Sequence, residues 1–141
     1  MDHGKTPLIY LASPYTHVDA AVRQRRYENA CRAVALLLKA GVFAYSPIVH
    51  THPLTYYGLE GPWEFWRDYD LTFLKRCSEL WVLTLDGWQE SKGVQAEIET
   101  ARSWGVPVRY VSLDDLENRH FAVSECSRDV YNELNEGTDK F

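Results

Sequence analysis

"LIYLASPYTHVDAAVRQRRYENACRAVALLLKAGVFAYSP" (Leu8–Pro47) is the stretch that decides the fold. Its first six residues, Leu8–Ser13, are a short apolar run ending in small residues before Pro14. Such a run reads as a strand buried on both faces, as in a parallel sheet. A helical pattern follows. Val18, Val22, Ala30, Val34, Leu37 and Leu38 fall mostly three and four residues apart. Asp19 lies near the start of that pattern, where a carboxylate suits the helix dipole. Gly41 is placed to stop it with a left-handed residue. Val42–Pro47 then reads as a second strand, cut by proline. A strand–helix–strand unit implies a right-handed crossover and a parallel pair.

Outward from this unit the alternation continues. Ile48–Pro62 is loop-like, rich in His, Pro, Gly and Tyr, and Trp63–Cys77 resumes a helical pattern. Leu80–Leu85 reads as a third buried strand, ended by Asp86 and Gly87. A helix is expected from about Lys92 to Trp104, closed by Gly105, and Pro107–Ser112 makes a fourth strand. The polar stretch Leu113–Phe141 is weakly helical between about Val123 and Leu134. With no repeat, low-complexity block or linker, the expectation is one domain over 1–141, with a core at about 8–112 and a C-terminal extension over 113–141. The fold class is a small doubly wound α/β domain, its mostly parallel sheet carrying helices on both faces. Ligands in such folds sit beyond the C-terminal ends of the strands, here Ser13–Thr16, Ser46–His52 and Asp86–Gly93.

Composition narrows the partners. The net charge of -5 argues against a nucleic-acid polymer, which needs basic surface. It does not exclude a single nucleotide held at a helix N-terminus. Cys31, Cys77 and Cys126 form neither a CxxC pair nor a disulfide framework, which points to a reducing, cytoplasmic setting. No apolar run approaches about 18 residues, so no membrane partner is expected.

Four segments carry groups suited to chemistry. In "DGWQESKGVQAEIETA" (Asp86–Ala101), Ser91 is a candidate N-cap. Val94, Ile98, Ala101 and Gly105 make a sheet-facing stripe, and Glu97 lies about 60° from its centre, partly buried, while Glu99 points to solvent. Gly93, one turn earlier on the same face, leaves open space above Glu97. A carboxylate beside a gap near a helix N-terminus suits a nucleophile or base; the alternative is a rim glutamate paired with a cation. "LASPYTH" (Leu11–His17) has the layout of a phosphate-binding turn without its glycines. Ser13 and Thr16 offer hydroxyls there and Tyr15 a stacking face; the alternative is an ordinary helix cap. In "HTH", His50 and His52 would face the same way on a strand and suit zinc, but no third ligand stands at a convincing spacing, so no metal is expected. In "WEFWRDYDLTFL" (Trp63–Leu74), Trp63, Trp66, Tyr69 and Phe73 form an aromatic stripe that suits core or a subunit contact, and Arg67 with Asp70 reads as a surface pair.

Taken together, "IYLASPYT" at the first strand, "RDYDL" before the third and "GWQESKGVQAEIETA" after it resemble the nucleoside 2-deoxyribosyltransferase superfamily, over roughly Leu8 to Val111. The likeness is to its small bacterial and phage branch, related to deoxynucleoside 5′-monophosphate N-glycosidases. The resemblance implies a Rossmann-like or flavodoxin-like fold, a homodimer or higher homo-oligomer, and no metal or organic cofactor. It implies cleavage of the N-glycosidic bond of a nucleoside or nucleoside 5′-monophosphate. The sugar then passes to water or, in a deoxyribosyltransferase, to a second base. The nucleophilic glutamate of the superfamily falls on Glu97, its aspartate assisting at the base on Asp70, its phosphate-contacting serine on Ser91 and its first-strand tyrosine on Tyr10. Where the superfamily often has glycine two residues after the glutamate and an aromatic residue next, this chain has Glu99 and Thr100. With the strand ends, the resemblance puts the substrate against Ser13, Pro14, Tyr15, His52, Asp86, Trp88, Ser91 and Gly93. A nucleotide-binding module without catalysis, or a structural oligomer built on the Trp63–Phe73 stripe, are the readings from other classes.

Overall fold

A computed structural model gives the fold of residues 6–119. The strand β1 (Leu8–Ala12) lies between β2 (Phe43–Tyr45) and β3 (Glu79–Leu83), and β4 (Val108–Val111) flanks β3. All three pairings are parallel, in the order β2-β1-β3-β4. Tyr10 stands opposite Tyr45 on one side and Leu80 on the other. The two inner strands are apolar almost throughout because both of their faces are covered.

Alternation along the strands sorts the core into two layers. Tyr10, Ala12, Leu80 and Val82 pack with Leu74 of α3 (Trp63–Leu74) and Val94, Ile98 and Ala101 of α4 (Lys92–Ser103). Ile9, Leu11, Trp81 and Leu83 pack on the other face with Ala33 and Leu37 of α1 (Ala20–Lys39) and Leu116 of α5 (Leu113–Glu117). A fully buried leucine contributes about 2 kcal/mol by its removal from water, so both layers are needed to hold the sheet. The fold is the doubly wound parallel α/β domain expected from the alternation.

The expected helix and strand ends hold at most positions. Asp19 caps α1, its carboxylate accepting from the Ala21 N–H at 2.8 Å. Gly41 follows α1 at φ 84, and the Val42 N–H returns to the Leu37 carbonyl at 2.9 Å. Gly105 repeats the motif after α4 at φ 72, with Val106 bonded back to Ala101 at 2.8 Å. Val18 departs from its expected place. It precedes the helix and is 98% exposed, because Asp19 begins the helix after it.

The segment expected as loop is helical. Ser46 caps α2 (Pro47–Thr51), whose first residue is the proline, and a 3-10 turn over His52–Tyr57 continues it. Pro47 therefore starts a helix rather than cutting a strand, and β2 is only three residues long. The short α5 opens the stretch expected as a polar extension. It is held by a capping box between Ser112 and Asp115. The weak helical pattern over 123–134 lies outside the described residues.

A Cβ at Gly105 would meet no atom within 4 Å, so Gly105→Ala isolates the cost of a left-handed backbone. We expect a loss of about 1 kcal/mol, read as a lower urea midpoint at unchanged m-value. An unchanged midpoint would show that the helix end relaxes out of this conformation.

Candidate active site

The reversal of strand order between β1 and β3 opens a crevice at their C-terminal ends, where open α/β sheets bind ligands. A cleft of about 690 Å3 lies there. Ser13, Tyr15 and Thr16 come from the turn after β1, Pro47, Ile48 and Thr51 from α2, and Trp63, Trp66 and Asp70 from α3. Ser91, Gly93 and Glu97 come from the start of α4. Arg26 of α1 ties the two strand-end turns together. Its guanidinium donates to the carbonyls of Thr16 at 2.9 Å and Asp86 at 3.1 Å. A Cβ at Gly87 would stand 2.5 Å from that guanidinium, so glycine is what lets the clamp close.

Glu97 is more deeply buried than its stripe position suggests, at 4% exposure. Its carboxyl accepts a short hydrogen bond from the Tyr10 hydroxyl, which reaches across from β1. Burial pushes the Glu97 carboxyl up to about 8; the Tyr10 bond opposes that shift and the charge of Asp70 adds to it. Burial, then the charges of Glu97 and Asp70, push the Tyr10 hydroxyl well above the ordinary tyrosine range.

Asp70 is not the partner of Arg67. It is 7% exposed and turned inward, and Arg67 pairs with Asp68 at 3.5 Å instead. Trp63, Trp66, Asp70 and Leu74 follow at spacings of three, four and four, so Asp70 occupies an apolar position of the inner helix face. Burial alone raises its carboxyl to about 7. Its Oδ1 is sealed from solvent without a hydrogen-bond partner among the described residues, as is the Oγ of Ser13.

The space above Gly93 is taken. A Cβ there would lie 3.3 Å from the ring of Trp63, so glycine admits the indole and α3 closes over α4. Ser91 caps α4, accepting from the Val94 N–H at 3.2 Å, and Lys92 beside it pairs with Glu64.

His50 and His52 diverge, because their segment is helical rather than extended. The His50 ring bonds the Tyr69 hydroxyl at 3.0 Å. His52 lines the cleft with both ring nitrogens engaged. Nδ1 meets the Tyr15 hydroxyl at 2.6 Å, and Nε2 meets Gln24 Oε1 and the Tyr56 hydroxyl, each at 3.2 Å. Tyr27 stacks on its ring at 4.1 Å. Burial, helped by the nearby charge of Arg23, holds the imidazole below its usual range. His52 thus braces the cleft wall through both ring nitrogens. Among the described residues no group of three or more His, Cys, Asp or Glu could hold a metal ion.

Of the other residues expected at the substrate, Pro14 is fully buried and does not line the cleft. Asp86 is exposed outside it, and Trp88 packs against the α3–α4 core layer and Tyr110. Pro47, Ile48 and Thr51, within the strand-end stretch Ser46–His52 expected at the ligand, lie on the lining, and so does Arg23. The helix that carries the first three is signalled by Ser46-Pro47, a cap followed by proline at a first helical position. Nothing in the pattern of α1 singles out Arg23.

The fold and cleft define a flavodoxin-like α/β domain with two buried carboxyls at its topological switch point. The chain belongs to the family described as Domain of unknown function (DUF1937), matched over residues 7–113. A comparison with curated proteins gives no match. Among the described residues no helix is long and apolar enough to cross a membrane.

A glutamate whose folded-state value is raised binds its proton more tightly in the folded chain. Its contribution to stability is therefore complete below its ordinary value of 4.5 and is lost as pH rises through about 8. Glu97→Gln should gain stability relative to wild type across that window, by up to about 1.4 kcal/mol per pH unit. Denaturant melts of both proteins at several pH values test this. Parallel pH dependences would show that Glu97 titrates normally.

Proposed function

We propose that this chain cleaves the N-glycosidic bond of a nucleoside or nucleoside 5′-monophosphate, with Glu97 as nucleophile and Asp70 as acid, and passes the sugar to water. The observation that carries the reading is the meeting of these two buried carboxyls on one cleft. The resemblance to the nucleoside 2-deoxyribosyltransferase superfamily supports it, since the residues in question fall on that superfamily's nucleophile and base-assisting aspartate. Its departures, Glu99 and Thr100, do not line the cleft.

In the first step the ionised Glu97 attacks C1′. The C1′–N bond breaks, and its electron pair leaves on the base, which takes the proton of Asp70. Tyr10, donating to Glu97, favours the ionised form against the cost of burial. In the second step water attacks C1′ of the glycosyl ester, gives a proton to Asp70 and frees Glu97. The unpaired Ser13 hydroxyl offers a hydrogen bond to the sugar or its substituents. The Ser91 oxygen accepts the cap bond, so its proton remains free to donate to a 5′-phosphate beside the first-turn N–H groups of α4. A phosphate there competes with Glu64 for Lys92. Transfer to a second base shares the first step and differs only in the acceptor.

One observation favours a second reading, a nucleotide-binding module. At neutral pH a carboxyl raised to about 8 is mostly protonated, and a neutral acid binds without attacking.

Incubation with ribo- and deoxyribonucleosides and their 5′-monophosphates, followed by chromatography of free base, separates the two. Hydrolysis predicts base release by wild type and none by Glu97→Ala. Its kcat/KM should form a bell across about pH 7 to 8, because Glu97 must be ionised and Asp70 protonated. Asp70→Asn should keep only the rising limb. Thermal stabilisation by one compound without any base release would assign the binding module instead.

A further inference from the structure

Tyr45 at the end of β2 belongs to no part of the mechanism, yet its hydroxyl is sealed from solvent and has no hydrogen-bond partner among the described residues. A tyrosine hydroxyl buried in this way normally finds a partner, because leaving it unpaired is costly. The ring is fixed by stacking on Phe73 of α3, centroids 4.4 Å apart and planes 10° apart, and by Tyr10 at 5.9 Å. Phe73 lies one turn beyond Asp70 on the same helix, so the stack lays the phenol along the face that carries Asp70. Asp70 holds the matching orphan, its sealed Oδ1. Two buried polar atoms on one inner face, both unsatisfied and not bonded to each other, are what a single buried water joins.

We infer that Tyr45 is a positioning residue for Asp70, holding Oδ1 of its carboxyl through one bridging water so that Oδ2 carries the proton toward the cleft. The assignment rests on the proposed role of Asp70 only for its consequence in catalysis; the water bridge itself is a property of the free protein. Burial, then the charge of Asp70, pushes the Tyr45 hydroxyl well above its ordinary range, with smaller contributions from Tyr69, Cys77 and Glu97. The titratable groups that face Asp70 are Glu97 on α4, Tyr10 on β1 and Tyr45 on β2. Lys92 and Arg67, the cations of α4 and α3 near this end of the cleft, are turned to Glu64 and Asp68.

Tyr45→Phe removes the hydroxyl and keeps the stack on Phe73. The measurement is the carbon-13 titration of the Asp70 carboxyl in a Glu97→Gln background, where the neighbouring glutamate no longer titrates. A water donating to Oδ1 favours the ionised form, so its loss should raise the Asp70 midpoint by about half a pH unit or more. A purely packing role for Tyr45 leaves that midpoint unmoved. A thermal melt confirms that the variant is folded; should it not be, para-fluorophenylalanine at position 45 removes the same hydroxyl with nearly the same ring volume. In the otherwise wild-type chain, Tyr45→Phe should move the optimum for base release to higher pH with KM unchanged. An Asp70 midpoint unmoved in the folded variant overturns the proposal. An absence of base release from any substrate sinks the proposed reaction but leaves the titration to decide the role of Tyr45.

Discussion

The hydrogen bond from Tyr10 to Glu97 joins the central strand to the helix that packs on it, inside a largely apolar layer. A lone carboxyl in such a layer is strongly disfavoured in its charged form. Tyr10 supplies one partner and cannot supply more. Glu97 lies on the cleft lining, so its carboxyl brings a polar group to the otherwise apolar buried face of α4. Asp70 stands under the same constraint with no partner among the described residues, which is why burial alone governs its proton.

This placement depends on the order of the strands. Because β1 and β3 are neighbours but not consecutive, the chain leaves the sheet after β1 to one face and after β3 to the other. The two turns part at their C-terminal ends, and the groove between them is where the start of α4 and the inner face of α3 converge. Arg26 bridges the turns from the opposite layer. Trp63 over Gly93 sets the spacing of α3 and α4, and with it the approach of Asp70 to Glu97. The groove is therefore held on one side by Arg26, which lies outside its lining, and on the other by Trp63 and Gly93, which belong to it.

Much of this was legible in the residues. Gly41 and Gly105 mark helix ends because only glycine takes the left-handed turn cheaply, and Ser91 marks a helix start by its cap. Glu97 was legible as a residue at the edge of a stripe, but its full burial was not. That depth requires Tyr10, 87 positions away along the chain. The spacing of Asp70 from Arg67 suggests a surface ion pair, and that reading fails because the face it shares with Trp63, Trp66 and Leu74 points it inward, onto the cleft where the resemblance had put it. The segment after β2 was misread because proline was weighed as a strand breaker rather than as a first helical residue. With the helix restored, His50 and His52 part, and the zinc geometry that depended on an extended chain goes with it.

The same constraint sets stability against chemistry. Replacing Glu97 or Asp70 by an apolar residue of similar volume would relieve a burial cost and tighten the α3–α4 layer, as large-scale experience with buried charges indicates. Stability alone gives no reason to keep two buried carboxyls in one largely apolar layer. Structural ion pairs do not account for them, since neither carboxyl meets a cation among the described residues. Under the proposed reaction the two carboxyls are kept for the substrate, and part of their burial cost is recovered in binding and orienting it.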